Sequence, residues 1–178
     1  MNWYSGKEFD KAPPDDGKIL TAGLNVVLIR PEIAPNAGNI SRLCFATGTR
    51  LHIVGKTGFT ITDKHFKRAA VDYWDRLDIS YYADMGELLE KASSEGGDSR
   101  FIYTTTNGKT LFFDFEYKKG DYIVFGPEST GLDEQMIDSN YDMTVRIPLN
   151  SNVRCLNLST SCGIILFHAI YQLNLLSK

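Results

Sequence analysis

Three segments of this sequence combine polar side chains with glycines or helix starts in patterns that suit ligand binding. In the first, Asn39 and Arg42 are three residues apart, so they share one face of a helix that we expect to begin near Asn36. An amide and a guanidinium on one face can hold a ribose or a phosphate, because arginine presents a fork of donors. The plainer alternative is a capping asparagine followed by a solvated arginine.

The second and third segments are loops that lead into helices. In the second, Gly126 and Gly131 let the backbone approach a ligand closely, although such glycines often mark only a turn. Glu128 between them is also suited to capping the next helix. The third, residues 147–163, is a polar loop followed by small residues. A buried Asn157 there would need several hydrogen-bond partners, and the alternative is that it only caps a helix.

The sequence lacks the motifs of several common enzyme classes. It has no GxxxxGK[ST] loop and no GxGxxG after its first predicted strand, which disfavours the usual nucleotide sites and the Rossmann-type methyltransferases. It has no GxSxG elbow of a hydrolase, and neither an HExxH motif nor a Cys/His cluster, so we expect no metal. The cysteines Cys44, Cys155 and Cys162 form no CxxC pair, which is typical of free thiols in the cytoplasm.

Apolar runs of strand length alternate with helical stretches and must position these three segments. We predict six strands, at residues 24–29, 51–54, 77–82, 101–105, 122–125 and 143–147. We predict helices at about residues 35–47, 63–68, 84–94, 133–139 and 157–175. This alternation predicts an α/β fold with a mostly parallel sheet and helices on both faces. Residues 1–23 are interpreted as an N-terminal extension and residues 24–178 as one domain.

The net charge of −3 is unevenly distributed along the chain. Residues 30–70 carry seven Lys or Arg against two acids, and residues 146–178 carry three basic residues and no acid. Residues 77–145 hold 14 acids against five basic residues. Because salt screens charges beyond about 10 Å, a basic face on an acidic body can still bind phosphates. The pattern therefore permits a nucleic-acid partner, provided that folding brings the basic segments to one face.

In their order and spacing, the three segments resemble the three motifs of the SPOUT methyltransferases, and in particular the TrmL-like tRNA 2′-O-methyltransferases. The strings that carry the resemblance are PEIAPNAGNISRLCFATG, DYIVFGPESTGL and RIPLNSNVRCLNLSTSCGIILFHA. The shorter strings LHIVGKTGF, KHFKRAAVDYW and FIYTTTNG also fit. The likeness extends over about residues 24–175.

The resemblance implies a deep C-terminal trefoil knot, a homodimer that completes the active site, and S-adenosylmethionine bound in a bent shape by the three loops. The cofactor contacts that it implies are Tyr103, Gly126, Ile147, Cys155, Leu156, Asn157 and Ser159. The catalytic residues that it implies are Arg42, Asn39 and Arg154. Because a guanidinium stays protonated, we expect Arg42 to stabilise a developing alkoxide and anchor a phosphate instead of acting as a base. We expect an RNA-binding surface formed by Arg30, Lys64, Lys67 and Arg68.

The reaction implied is methyl transfer to the ribose 2′-hydroxyl of the tRNA wobble nucleotide, position 34. Cys155 departs from the family pattern, which usually has serine there, and Phe167 and His168 replace a usual Tyr-Glu pair. Three alternatives stay open at this stage. The first alternative is a 2′-O-methyltransferase that acts on another tRNA or rRNA nucleotide. The second is a non-catalytic RNA-binding module, and the third is an α/β enzyme that acts on a small molecule.

Overall fold

A computed structural model of the chain describes residues 23–60, 78–96 and 99–173. Most of the predicted N-terminal extension, the predicted helix at 63–68 and the end of the last predicted helix lie outside these residues. Among the described residues, no helix has the length and apolar character needed to cross a membrane.

The centre of the molecule is a sheet in which every pair of neighbouring strands is parallel. Its strands are β1 (Asn25–Ile29), β2 (Arg50–Val54), β3 (Ile79–Tyr82), β4 (Phe101–Thr104), β5 (Thr110–Leu111), β6 (Tyr122–Phe125) and β7 (Thr144–Arg146). Their order is β3-β2-β1-β6-β4-β7-β5. The parallel sheet and the six predicted strands are confirmed. The two-residue strand β5 was not predicted, because two residues are too few to show a period of hydrophobicity.

Within the described residues, four α-helices cover the sheet, and they lie on both of its faces, as predicted. They are α1 (Ala34–Thr47), α2 (Met85–Ser94), α3 (Glu134–Ser139) and α4 (Leu158–Gln172), with a short 3-10 helix at Tyr141–Met143. The helix α1 ends where Gly48 takes a left-handed φ of 59°, a conformation that glycine adopts without a Cβ penalty. Asp84 caps α2 by accepting a hydrogen bond from the Glu87 backbone N–H.

Strand β1 separates the two parts of the hydrophobic core. Val26 and Leu28 pack with α1 and α4 on one face, whereas Val27 and Ile29 pack with α2 on the other. All five β1 residues are buried, which is expected for a central parallel strand covered on both sides.

Strand β7 is inserted between two strands that precede it in the chain. It pairs with β4 on one side and β5 on the other, so the β4–β5 connection passes across it. Gly108 lies in that connection, and a Cβ at this position would come within 2.5 Å of the Val145 carbonyl carbon. The Arg146 guanidinium donates to the carbonyl oxygens of Gly108 and Lys109, so the connection is fixed against β7.

His52 of β2 is a buried polar residue within the sheet. Its ring nitrogens lie 3.1 Å from Asn25 Oδ1 and 3.2 Å from the Tyr82 hydroxyl, and its ring packs near those of Tyr82 and Tyr122. Burial, with a smaller contribution from Arg50, lowers the pKa of His52 from 6.5 to about 4. The neutral imidazole is therefore a structural element of the sheet at physiological pH.

Candidate active site

A cleft of about 570 Å³ lies at the carboxyl ends of β6, β4 and β7. The carboxyl edge of a parallel sheet is where α/β proteins bind ligands, because the loops that follow the strands converge there. Residues 104–107, 125–132 and 154–158 supply most of its walls. The other lining residues are Ile33, Asn36, Glu134, Ile137, Val145, Ile147, Leu149, Ser161 and Ile165. The three predicted ligand-binding segments therefore meet in one place.

The loop after β6 is tightly folded around its two glycines. A Cβ on Gly126 would lie 2.4 Å from both the Gly131 carbonyl carbon and the Leu132 nitrogen, which are backbone atoms that cannot rotate away. Gly131 adopts a φ of 71°, and its N–H donates to the Pro127 carbonyl at 2.9 Å. The two glycines thus create a compact turn that lines the cleft.

Glu128 connects this loop to the start of α1. Its carboxylate accepts hydrogen bonds from the backbone N–H groups of Glu32, at 2.8 Å, and Ile33, at 3.3 Å. It also accepts from Asn36 Nδ2 at 3.0 Å. Because α1 has no capping side chain of its own, the carboxylate satisfies donors at its N-terminus and complements the helix dipole. The capping role considered for Glu128 on the next helix belongs instead to Asp133.

Asn36 continues this network to the third segment. Its Oδ1 accepts a hydrogen bond of 2.9 Å from Asn157 Nδ2, although the two residues are 121 positions apart. The Oδ1 of Asn157 in turn accepts from the backbone N–H groups of Ser159 and Thr160 and from the Ser159 hydroxyl. Asn157 is exposed, and not buried as considered from the sequence, yet it both caps α4 and joins a defined polar network.

Five of the residues predicted to contact the cofactor line the cleft: Gly126, Ile147, Cys155, Leu156 and Asn157. Ser159 does not line it and contacts it only through Asn157. The Tyr103 side chain packs in the core under α2 and borders a separate groove with Met85 and Leu89. Because side chains alternate along a strand, the neighbouring Thr104 faces the cleft instead.

The predicted catalytic residues are divided between two places. Arg154 lines the cleft and is the single basic residue among the lining residues, beside the acidic Glu128 and Glu134. Asn39 and Arg42 lie on the exposed face of α1, beyond the lining residue Asn36, and do not border the cleft. They share a face, as their spacing predicts.

The predicted RNA-binding residues are only partly within the described residues. Arg30 follows β1 at the same edge of the sheet as the cleft and is exposed, with an unusual φ of 45°. Lys64, Lys67 and Arg68 lie outside the described residues. Across the part of the chain that the structure describes, no group of His, Cys, Asp and Glu side chains is arranged to hold a metal ion.

Sequence reasoning missed the two roles that depend on distant contacts. Glu32 was not singled out, although its carboxylate accepts hydrogen bonds from the Ser129 N–H and hydroxyl. The strand-end residues 104–107 were noted only as part of the string FIYTTTNG, and they form one wall. The available signal was the position of that string: polar residues directly after a buried strand reach the same edge as the other loops.

The geometry of the cleft suits positioning of a ligand more than acid–base chemistry. Apart from Arg154, Glu128 and Glu134, most of its polar side chains are hydroxyls and amides, and the Glu128 carboxylate already accepts three hydrogen bonds from residues near the start of α1. Its dimensions match a small-molecule site. The exposed basic residues Arg42 and Arg30 lie outside it, on α1 and after β1, whereas Arg154 lines it. A compact ligand in the cleft and a larger anionic partner across the surface are both compatible with this arrangement.

Comparisons with known proteins agree with this architecture. Residues 23–167 match the SpoU rRNA Methylase family. A protein of Listeria monocytogenes is 41% identical over 153 residues, which cover 84% of this chain and 88% of that protein. A protein of Photorhabdus asymbiotica, named tRNA (cytidine(34)-2′-O)-methyltransferase, is 40% identical over 152 residues, with 84% of this chain and 94% of that protein covered.

One solved structure, from work on the 2-OH methylation of C/U34 on tRNA, superposes with a TM-score of 0.79 and 34% identity. The superposition covers 85% of this chain and 96% of the chain in that structure. The family match extends over all three cleft segments and most of the described chain. This chain belongs to the SpoU methylase family.

Proposed function

We propose that this chain is a tRNA 2′-O-methyltransferase that transfers a methyl group from S-adenosylmethionine to the ribose of nucleotide 34, in the cytoplasm. The observation that carries the proposal is the cleft at the carboxyl edge of the sheet, built from three segments joined through Glu128, Asn36 and Asn157. The named Photorhabdus relative, which matches over most of both chains, supports the choice of nucleotide.

The residues around the cleft fit S-adenosylmethionine. The cleft volume of about 570 Å³ lies in the usual range for small-molecule sites. Because Gly126 has no Cβ, the loop after β6 can pack closely against itself beside the cleft. We assign binding to Gly126, Ile147, Cys155, Leu156 and Asn157, with Ser159 holding Asn157 in place. Because the Tyr103 side chain packs away from the cleft, we assign to Tyr103 only a main-chain role, next to the lining residue Thr104. The cofactor supplies an electrophilic methyl group on a positively charged sulfur.

The reaction requires the protein mainly to align groups. A 2′-oxygen must lie in line with the methyl group, and holding reactants in such a geometry lowers the barrier without any covalent intermediate. We assign Arg154, at the rim of the cleft, to orient the RNA or the methyl donor. We assign Arg42 and Asn39 to the ribose and its phosphate, where a guanidinium stabilises the developing oxyanion. The 2′-hydroxyl proton leaves to water or phosphate.

A homodimer would complete the site. Arg42 and Asn39 are exposed and do not reach the cleft of their own chain, so a second copy is the natural partner for that face of α1. Phe167 and Tyr171, one turn apart on α4, are also exposed, at 46% and 69%. Apolar side chains of this size are suited to burial in an interface. The departure from Tyr to Phe at position 167 makes this surface more apolar than the family pattern, whereas His168 packs inward against the rings of Phe112 and Tyr117.

The polypeptide also carries, in our proposal, the C-terminal trefoil knot of its family. Support comes from β7, which lies between β4 and β5 although it follows both in sequence. The chain then continues through the cleft residues into α4, which packs against α1. Knots are rare enough that this topology alone would not be assumed without the family. We treat residues 24–178 as the methyltransferase domain, and residues 1–23 as its extension.

The test is methyl transfer from labelled S-adenosylmethionine to total tRNA that lacks 2′-O-methylation at position 34, followed by nucleoside mapping. Label on the ribose of nucleotide 34 is the expected result. Label on another nucleotide would support the methyl-transfer reaction and refute nucleotide 34 as its target. S-adenosylhomocysteine is what S-adenosylmethionine becomes when it has lost its methyl group. If the chain binds RNA but transfers no label and does not bind S-adenosylhomocysteine, it is a non-catalytic RNA-binding module.

A further inference from the structure

Glu32 exchanges hydrogen bonds with the cleft loop in both directions. Its carboxylate accepts from the Ser129 backbone N–H at 2.9 Å through one oxygen and from the Ser129 hydroxyl at 2.7 Å through the other. Its own backbone N–H donates to the neighbouring Glu128 carboxylate at 2.8 Å. Two consecutive residues of the loop are thus fixed to a single residue that lies before α1.

The Glu32 side chain does not line the cleft, whereas Ser129 does. Any influence of Glu32 on a bound ligand must therefore pass through Ser129 and the turn around it. This separates Glu32 from the residues that contact a ligand directly. The Glu32 carboxylate therefore influences the wall of the cleft at residues 125–132 through its two hydrogen bonds to Ser129, and not by contact with the ligand.

The backbone of Glu32 is held from the other side as well. A Cβ on Gly58 would come within 2.8 Å of the Glu32 carbonyl oxygen and 2.9 Å of its Cα, so the turn after β2 packs directly against it. The Gly58 N–H donates to the Pro31 carbonyl at 2.9 Å. A side chain can fix a partner only if its own backbone is fixed, and this condition is met here.

The bonds between Glu32 and Ser129 are exposed to solvent. Water can replace an exposed hydrogen bond, so such bonds contribute little to global stability. They do restrict a loop that would otherwise sample several conformations, and a ligand then binds without the entropic cost of ordering that loop. The expected signature is weaker ligand binding with nearly unchanged thermal stability.

We infer that Glu32 is a positioning residue that holds the Ser129 turn in its ligand-binding conformation. The inference rests on the proposed function, in that the ligand is S-adenosylmethionine. The carboxylate fits two donors on one residue, as a bidentate acceptor does. Removing it frees the wall of the cleft while leaving the residues that line it unchanged.

The experiment measures binding of S-adenosylhomocysteine by calorimetry to the full chain and three variants. We expect Glu32→Ala to weaken binding about tenfold and Ser129→Ala, which keeps the backbone N–H bond, about threefold. Glu90→Gln, an exposed glutamate on α2 outside the cleft, is the matched control and should stay within twofold. In steady state, the KM for S-adenosylmethionine should rise by the same factors while kcat stays within twofold.

The double variant Glu32→Ala, Ser129→Ala tests whether the two residues act together. If Glu32 acts through Ser129, the double variant binds no more weakly than Glu32→Ala, because the hydroxyl has already lost its partner. If the loss of affinity in the double variant equals the product of the losses in the two single variants, the inference is overturned. It is also overturned if Glu32→Ala folds and binds S-adenosylhomocysteine with unchanged affinity. A fall in kcat without a change in KM would also overturn it.

The controls keep this inference separate from the proposed function. If the unaltered chain binds no S-adenosylhomocysteine, the proposed function fails before Glu32 is tested. If it binds and Glu32→Ala binds equally well, only the role of Glu32 fails. Should Glu32→Ala not fold, Ser129→Ala decides alone, and unchanged affinity in that variant overturns the inference.

Discussion

At the scale of single residues, Gly126 differs from an ordinary turn glycine because nothing larger fits. Its missing Cβ would lie 2.4 Å from backbone atoms of the same loop. We therefore expect Gly126→Ala to displace the loop, to weaken S-adenosylhomocysteine binding at least tenfold, and to destabilise the fold by about 1–3 kcal/mol. Calorimetry and thermal unfolding measure the two effects.

Gly163 is the matched control for this substitution. It lies within α4, and a Cβ there has no atom within 4 Å apart from its chain neighbours and the backbone of its own helix. Gly163→Ala should therefore leave binding unchanged and stabilise the helix by up to about 1 kcal/mol. Equal effects of the two substitutions on binding would show that crowding at Gly126 does not shape the cleft.

His52 gives the fold a dependence on pH. Its pKa is about 4 in the folded chain against 6.5 in the unfolded one, so the unfolded state binds more protons between these values. The stabilisation from keeping the imidazole neutral is present above pH 6.5 and is lost progressively as the pH falls from 6.5 to about 4. The loss amounts to about 2 kcal/mol at pH 5 and about 3 kcal/mol at pH 4.

The measurement is the free energy of unfolding from pH 7 to pH 4 for the unaltered chain and for His52→Gln. The carboxylates titrate in both chains, so their contribution cancels in the difference. The unaltered chain should lose about 3 kcal/mol more than the variant over this range. Parallel curves would contradict the assigned role of His52.

At the scale of elements, the start of α4 depends on one side chain with two functions. Asn157 Oδ1 caps the helix, and its Nδ2 donates to Asn36. Asn157→Ala should remove both and destabilise the fold by about 1–2 kcal/mol. Asn157→Asp keeps an acceptor at the helix N-terminus but places it against the Asn36 oxygen, so it should keep most of the stability and still weaken S-adenosylhomocysteine binding.

Denaturant unfolding and calorimetry distinguish these two functions. If Asn157→Asp binds as tightly as the unaltered chain, the link between the first and third segments is not needed for the cleft. If it loses as much stability as Asn157→Ala, the cap is not the main contribution of this residue. The expected result is that stability and binding separate.

Most elements could be predicted because each carries a local pattern. The strand at 122–125 is a buried apolar run, and Asp84 before α2 is an ordinary capping residue. Strand β5 has too few residues for a pattern and forms because β7 offers it an edge. The sequence also did not show on which face of the sheet the Tyr103 side chain lies, because hydrophobicity does not distinguish the two faces of a strand that is covered on both sides.

At the scale of the whole molecule, the sequence predicted which segments form the candidate site but not how they are joined. Asn36 and Asn157 pair across 121 positions, and Glu32 and Ser129 across 97. Such contacts depend on strand order, which puts β1 beside β6 and β7 beside β4. Nothing in the local sequence of Glu32 distinguishes it from a solvated glutamate.

The segregation of charge gives a prediction about RNA binding. If Lys64, Lys67 and Arg68 contact phosphates, binding releases counterions and weakens steeply with salt. Replacing all three with alanine should reduce the magnitude of the slope of log K against log salt by about 2.1–2.7, at roughly 0.7–0.9 for each contact. The measurement is binding of an anticodon stem-loop over a range of salt concentrations.

Lys91 and Lys118 provide the control for that series. They belong to the acidic part of the chain, outside the cleft, and Lys91 is paired with Glu95. Replacing both with alanine should leave the slope unchanged. A loss of slope as large as that of the basic segment would mean that net charge, and not a defined surface, controls RNA binding.

The insertion of β7 between β4 and β5 has a consequence for how the protein is made. Translation releases β4 and residues 110–111 before the strand that pairs with both. Until residues 144–146 arrive, one edge of β4 is unpaired and residues 110–111 have no strand to pair with, and an unpaired strand edge is prone to aggregation. The wall at residues 154–158 follows later still. A chain that terminates before residue 154 therefore contains the loops after β4 and β6 but lacks the third wall of the cleft, so it forms no complete site.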